Sequence, residues 1–193
     1  MNSTEQKNES DTPTLVKLAW GLAGAGDLLP ETFEIMKKLN EKGNIKITAI
    51  LSQAAVKVLK MYKLWDALPT IVHKVRVEQD ANTPFVVGSL QLGKFDALLV
   101  APTTGNSVAK IVHGISDSLL TNVVSMTNRT KVPIFILPVE KKGKVVVTTL
   151  PDGNKLELLT RDLDADNTEK LQKMKGITVL EEPKEILKII EQV

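Results

Sequence analysis

The chain has 193 residues, with 25 Lys and Arg against 23 Asp and Glu and a formal net charge of +2. The two signs are interspersed rather than clustered, which argues against nucleic acid as a partner. Because it contains no cysteine, the chain can form no disulfide, thiolate-ligated metal site or catalytic thiol; no metal is expected, and redox chemistry would require a bound organic cofactor.

Residues 1–14, MNSTEQKNESDTPT, are polar and predict a disordered tail ahead of a single domain over 15–193. No apolar leader opens the sequence, and no later run approaches the ~18 apolar residues of a membrane span, so a cytoplasmic protein without membrane contact is expected. From Leu15 onward, apolar β-branched runs alternate with helical periodicity. Strands are predicted over Leu15–Trp20, Ile45–Leu51, Ile71–Val77, Phe95–Ala101 and Val132–Leu137. Helices are predicted over Pro30–Lys42, Gln53–Tyr62, Phe85–Gly93, Asn106–His113 and Asp117–Thr127. This order implies an α/β fold built on a doubly wound parallel sheet, Rossmann-like in type. After Pro138 the rhythm changes. Over 138–165, Lys144–Leu150 and Lys155–Thr160 flank Pro151-Asp152-Gly153-Asn154, which predicts a β-hairpin added to the main sheet. Over 166–193 a final unit is predicted from helix Asp166–Lys175, strand Ile177–Leu180 and helix Pro183–Ile190.

Open parallel sheets bind ligands at the carboxyl ends of their strands, and those ends carry the candidate site. The first runs into Gly21-Leu22-Ala23-Gly24-Ala25-Gly26-Asp27. A dinucleotide fingerprint would need glycine where Leu29 stands and an acidic residue after the second strand, where the chain instead reads Leu51-Ser52-Gln53; no Walker pattern follows either. What fits is a monophosphate held by main-chain amides around Gly21, Ala23, Gly24 and Ala25 and by the Ser52 hydroxyl, which donates without adding negative charge. The alternatives stay open at this point: a glycine-rich turn also serves as a plain strand-to-helix connection, and a serine as a helix N-cap.

The third strand end reads APTTGNSVAKIVHGISDSLLT, Ala101 to Thr121. Pro102, Asn106, Lys110, Gly114, Asp117, Leu119, Leu120 and Thr121 stand where they do in the flavin-dependent cysteine decarboxylase superfamily, with Ser107 replacing Thr and Ser118 replacing Asn. The chain resembles that superfamily over Leu15–Pro138. The resemblance implies a doubly wound fold, FMN bound at these strand ends, and assembly as a homo-oligomer, a trimer or multiple of trimers, with flavin near subunit contacts. Thr103, Thr104, Asn106 and Ser107 then become candidates for the polar edge of the flavin.

Two departures argue against decarboxylation. The segment Gly88–Gly93 lacks the superfamily's catalytic His, and Pro138-Val139-Glu140-Lys141 replaces its Pro-x-Met-Asn carboxylate clamp. The remaining histidines, His73 and His113, read as surface or packing residues. Ala19–Gly26, Leu150–Gly153, Arg161–Asp164 and Gly176–Val179 more closely resemble archaeoflavoproteins and flavin-dependent dihydromethanopterin reductases. That resemblance implies an FMN oxidoreductase taking electrons from a soluble donor such as ferredoxin and passing them to a partner or small substrate. Pterin reduction is the alternative, and a non-catalytic binding subunit is a third reading. Trp20 is expected either to border the flavin or to pack. The apolar face Leu119, Leu120, Val123, Val124 and Met126 is expected to meet a neighbouring subunit, and Lys141, Lys142 and Lys144 to receive an acidic electron donor.

Overall fold

The structure is a computed structural model describing residues 15–141, 143 and 145–193; the tail expected over 1–14 and the side chains of Lys142 and Lys144 lie outside the described residues. Six strands, β1 (Val16–Leu22), β2 (Ile45–Leu51), β3 (Lys74–Val77), β4 (Ala97–Thr103), β5 (Ile134–Pro138) and β8 (Ile177–Val179), form one sheet in the order β3-β2-β1-β4-β5-β8. Every pairing in it is parallel. All seven residues of β4 are buried, as a central parallel strand covered on both faces must be.

Helices cover both faces. α1 (Leu29–Glu41), α2 (Gln53–Met61), the short α3 (Leu68–Ile71) and α8 (Glu185–Ile190) pack on one side around Leu18, Trp20, Ile47 and Leu99. α4 (Val87–Gln91), α5 (Gly105–Val112), α6 (Leu119–Thr127) and α7 (Asp162–Gln172) pack on the other around Ala19, Ile50, Leu98 and Val100. Along β1 and β2 side chains point alternately to the two faces and both sets are buried, so the sheet separates two cores, one per face.

Several expectations are corrected. The hairpin of β6 (Val145–Thr149) and β7 (Lys155–Leu159) is a separate antiparallel sheet, because β8 takes the edge beside β5 with Ile134 opposite Ile177. It is held by Val146, which packs on Ala25 and Val139, and by Tyr62, whose hydroxyl donates to the Thr149 carbonyl at 2.8 Å. The strand predicted from Ile71 starts at Lys74, since Leu68-Pro69 opens a single helical turn first. α7 starts at Asp162 rather than Asp166: Arg161 is extended, and Asp162 and Asp164 occupy the positive end of the helix. The α6 face does not await a neighbour. Leu119, Leu120, Val123 and Val124 are buried in this chain's own core and only Met126 stays partly exposed. Trp20 is packing: it is fully buried and donates Nε1–H to the Ala101 carbonyl at 2.7 Å. His73 and His113 are both exposed.

Candidate functional site

The sheet order reverses direction between β1 and β4, and the carboxyl ends at such a switch point leave a crevice. Here three strand ends are stitched together by main-chain hydrogen bonds. Ala23 N–H donates to the Pro102 carbonyl (3.2 Å), Ser52 N–H to the Leu22 carbonyl (3.2 Å) and Val139 N–H to the Thr103 carbonyl (3.0 Å). The sequence-predicted segments after β1, β2 and β4 therefore meet, with the end of β5 beside them.

The glycines divide by role. Gly21 lies inside β1, paired with Ile50 and Val100, and its missing Cβ makes room for Leu120. It is a packing position rather than a loop ligand. Gly24 lets the loop rest on α2, for a Cβ there would come within 2.5 Å of the Ala54 Cβ. Ala23 has its amide committed to Pro102, but the amides of Gly24 and Ala25 have no partner among the described residues. Ser52 is the N-cap of α2, its Oγ accepting the Ala55 amide at 3.0 Å. The hydroxyl proton remains available to a ligand, so capping and anion binding are compatible at this residue. Beside it, Glu78 accepts the amides of Gln53 (3.0 Å) and Leu119 (2.6 Å), which neutralises the first turns of both α2 and α6. The negative charge of Glu78 would oppose an anion on its side of Ser52.

The segment after β4 is less uniformly directed at a ligand than its sequence suggests. Thr103 is fully buried and donates its hydroxyl to the Val100 carbonyl at 2.8 Å, across a register irregularity in β4, so its side chain is withheld from the crevice. Thr104 caps α5 by accepting the Ser107 amide (3.3 Å), and the two hydroxyls lie 3.1 Å apart. Pro102 is buried and contributes its carbonyl, while Asn106 is exposed on the first turn of α5. Lys110 and Asp117 pair with each other at 2.9 Å, and Gly114 ends α5 at a φ of 71°. Much of this signature builds the α5–α6 corner.

Between the β1 loop, Thr104, the end of β5 and the hairpin lies a cavity of about 320 Å³ whose walls include Gly24, Ala25, Asp27, Glu140, Val146 and Leu158. Its acidic character is not apparent from the sequence. Asp27, Glu140 and Asp164 all face it, and among the described residues only Asp164 is neutralised, by a two-point contact from Arg161 at 2.7 and 2.9 Å. Burial pushes the Glu140 carboxyl above the usual Glu value; Asp164 and Asp27 push it further, while main-chain N–H groups including that of Gly105 oppose them. One oxygen, Oε2, is buried without a hydrogen-bond partner among the described residues. The residue is held in place because its carbonyl accepts the Thr168 hydroxyl at 2.9 Å. Asp27 is raised as well, by burial foremost. A carboxyl so placed takes up a proton more readily than a solvent-exposed one. The signals were present, in Glu140 replacing the superfamily's Met and in the Arg161–Asp164 segment, but their convergence depends on the hairpin folding back.

Lys141 corrects the docking expectation. Its ammonium is buried, paired with Glu181 at 3.1 Å and donating to the Leu180 and Glu181 carbonyls, so it cannot receive a partner.

A family profile described as Flavoprotein matches residues 5–192. An uncharacterised protein of Methanocaldococcus jannaschii is 49% identical over 91% of this chain and 95% of its own length. A dihydromethanopterin reductase (acceptor) of the same organism is 31% identical over 89% of this chain and 94% of its own. That alignment spans 232 positions, more than the 193 residues here, so the reductase carries sequence that this chain lacks. The crystal structure of Burkholderia xenovorans DmrB in complex with FMN, described as a cubic protein cage for redox transfer, superposes with a TM-score of 0.78 at 27% identity, covering 94% of this chain and 96% of that one.

Proposed function

The chain belongs to the flavoprotein family, and from that membership we propose that it is an FMN-dependent oxidoreductase whose electron acceptor, a dihydropterin, enters the acidic cavity. The observation that carries this reading is the cavity itself. Its walls join Gly24, Ala25 and Thr104, the FMN side, to Asp27, Glu140 and the hairpin's Leu158, so a small ring system can reach the flavin from the hairpin side, an approach that a pure electron carrier does not need. The unpaired Gly24 and Ala25 amides and the Ser52 hydroxyl suit a single phosphate, and the absence of an acidic ribose anchor after β2 favours FMN over FAD.

Bound FMN would supply the hydride and one-electron chemistry that a cysteine-free chain cannot. The chain's part is positional and acid–base. Thr104, in the cavity wall, and Asn106, two residues on, are offered to the ring edge, Glu140 to hold a proton for a nitrogen that gains electrons, and its negative neighbours to turn away carboxylate substrates. Electrons come from a soluble donor such as ferredoxin. The protein works as a homo-oligomer, a reading supported by the exposed leucines of the hairpin, Leu156, Leu158 and Leu159. A second reading, electron delivery to a protein partner with no pterin, is favoured by one observation: the reductase relatives extend beyond this chain's length.

Anaerobic mixing of the reduced FMN-loaded protein with a dihydropterin separates the two. Pterin reduction predicts rapid return of the oxidised flavin spectrum, slowed in Glu140→Gln. No reoxidation by any dihydropterin, with rapid reoxidation by a protein acceptor, would establish the second reading in its place.

A further inference from the structure

At the opposite pole of the sheet, the amino ends of the strands carry a second cavity, of about 300 Å³. Strand alternation and register account for its charge. Lys17 shares the face of Ala19; Lys46 and Thr48 share the face of Ile50; and pairing sets Lys74 beside Thr48 and Arg76 beside Ile50. All of them project from the α4–α6 face, near the β3 edge, where α4 is only five residues long and leaves the strands uncovered. Lys94 and His73 complete the rim, and no acidic residue lines the cavity.

None of the five Lys and Arg side chains forms an ion pair among the described residues. The nearby Asp96 instead accepts the Lys17 main-chain amide at 2.7 Å. In a chain of net charge +2, this gathers at one place the positive charge that the sequence seemed to disperse. Two aromatic rings stand at the same cavity. Phe95 is partly buried in its wall, and Phe85 is 84% exposed beside it. An exposed Phe next to unpaired cations is costly to hydrate and offers a flat apolar surface to a ring.

We propose that this cavity binds a small aromatic polyphosphate of nucleotide type, its ring against Phe85 and its phosphates among Lys17, Lys46, Lys74, Arg76 and Lys94. Concavity and size favour a small molecule over an acidic protein, which would need a broad open patch. The site is distinct from the flavin crevice, since the length of β1, about 20 Å at a strand's rise per residue, separates the two. The inference does not depend on what the crevice reduces.

Titration of the FMN-loaded full chain with ADP and with inorganic pyrophosphate, by calorimetry at low and high salt, tests it. One ADP per chain should bind, more tightly than pyrophosphate and more weakly as salt rises. Lys74→Gln/Arg76→Gln should lower ADP affinity by roughly tenfold or more, the scale of losing charge-assisted contacts. Phe85→Ala should bring ADP down to the level of pyrophosphate. All three altered residues are exposed, so each variant should keep the parent's melting temperature. ADP affinity unchanged in both variants, or ADP binding only with release of FMN, overturns the proposal. So does a double variant that changes oligomer size in a protein that never binds ADP, which would make this face an interface between copies.

Discussion

The carboxylate of Glu78, just past the end of β3, accepts the Leu119 amide at 2.6 Å and so ties one edge of the sheet to the first turn of α6. Its second oxygen accepts the Gln53 amide at 3.0 Å, so one side chain caps helices on opposite faces of the sheet. Charge-assisted bonds to helix N-termini are worth more than neutral ones. Glu78→Ala should therefore cost about 2 kcal/mol, and Glu78→Gln, which keeps one acceptor oxygen, about half of that. Urea unfolding should show the midpoint falling at constant slope. Unchanged midpoints would mean that water replaces both contacts without loss.

Ser52 allows its two roles to be separated. Ser52→Ala removes the cap of α2 and the ligand hydroxyl together, costing about 1 kcal/mol of stability and weakening FMN more than riboflavin. Ser52→Asp keeps a good cap but places a negative charge where the phosphate is proposed to sit. It should restore stability while weakening FMN further than Ser52→Ala does. Parallel recovery of stability and FMN affinity in Ser52→Asp would remove the phosphate from this position.

How far the sequence reached differs between fold and site. The parallel sheet was legible because buried central strands such as β4 are continuous apolar runs, and because glycine and serine mark the strand ends. The place of the hairpin was not, since a turn sequence such as Pro151–Asn154 specifies local pairing but not the sheet that the hairpin joins. Within the site, residue types were legible but their directions were not. Thr103 and Thr104 are neighbours of identical chemistry, yet one turns its hydroxyl into β4 and the other caps α5. The same holds for Lys141, whose run reads as a solvated basic loop until Leu180 and Glu181 are found to cover it. The carboxylates Asp27, Glu140 and Asp164 are far apart in the chain and meet only through tertiary packing.

Gly24 is where fold and cofactor site share one requirement. Its φ lies outside the left-handed region, so an added methyl is opposed mainly by contact, nearest the Ala54 Cβ at 2.5 Å and the Ala54 carbonyl carbon at 3.2 Å. Gly24→Ala should lose about 1–3 kcal/mol by overpacking and displace the loop whose amides are proposed to hold the phosphate, weakening FMN. Gly24→Ala/Ala54→Gly removes the closer of the two contacts and should regain part of both. Thermal unfolding and flavin titration of the two variants check this. A double variant no better than the single would place the strain elsewhere in the loop.

Glu140 sets a pH dependence with a definite sign. Its folded-state pKa is raised above the ordinary Glu value, chiefly by burial and secondarily by Asp164 and Asp27, so the native state holds this proton more tightly than the unfolded chain does. Between the two pKa values the native protein binds more protons, and stability falls as pH rises. The contribution is fully present below the unfolded value and is lost as pH climbs through the folded one. Glu140→Gln, which cannot ionise, should flatten that decline and be more stable than the parent above the window, with the difference between the two proteins closing toward pH 4, about where the unfolded chain also protonates. Asp27, raised foremost by burial, is coupled to Glu140, so the double comparison in an Asp27→Asn background isolates the Glu140 slope. Unfolding midpoints of parent and variant at intervals from pH 4 to 8 give the difference curve directly. A variant less stable than the parent at every pH would show that the Glu140 carboxylate is satisfied when charged, and would remove it as the proton store beside the flavin.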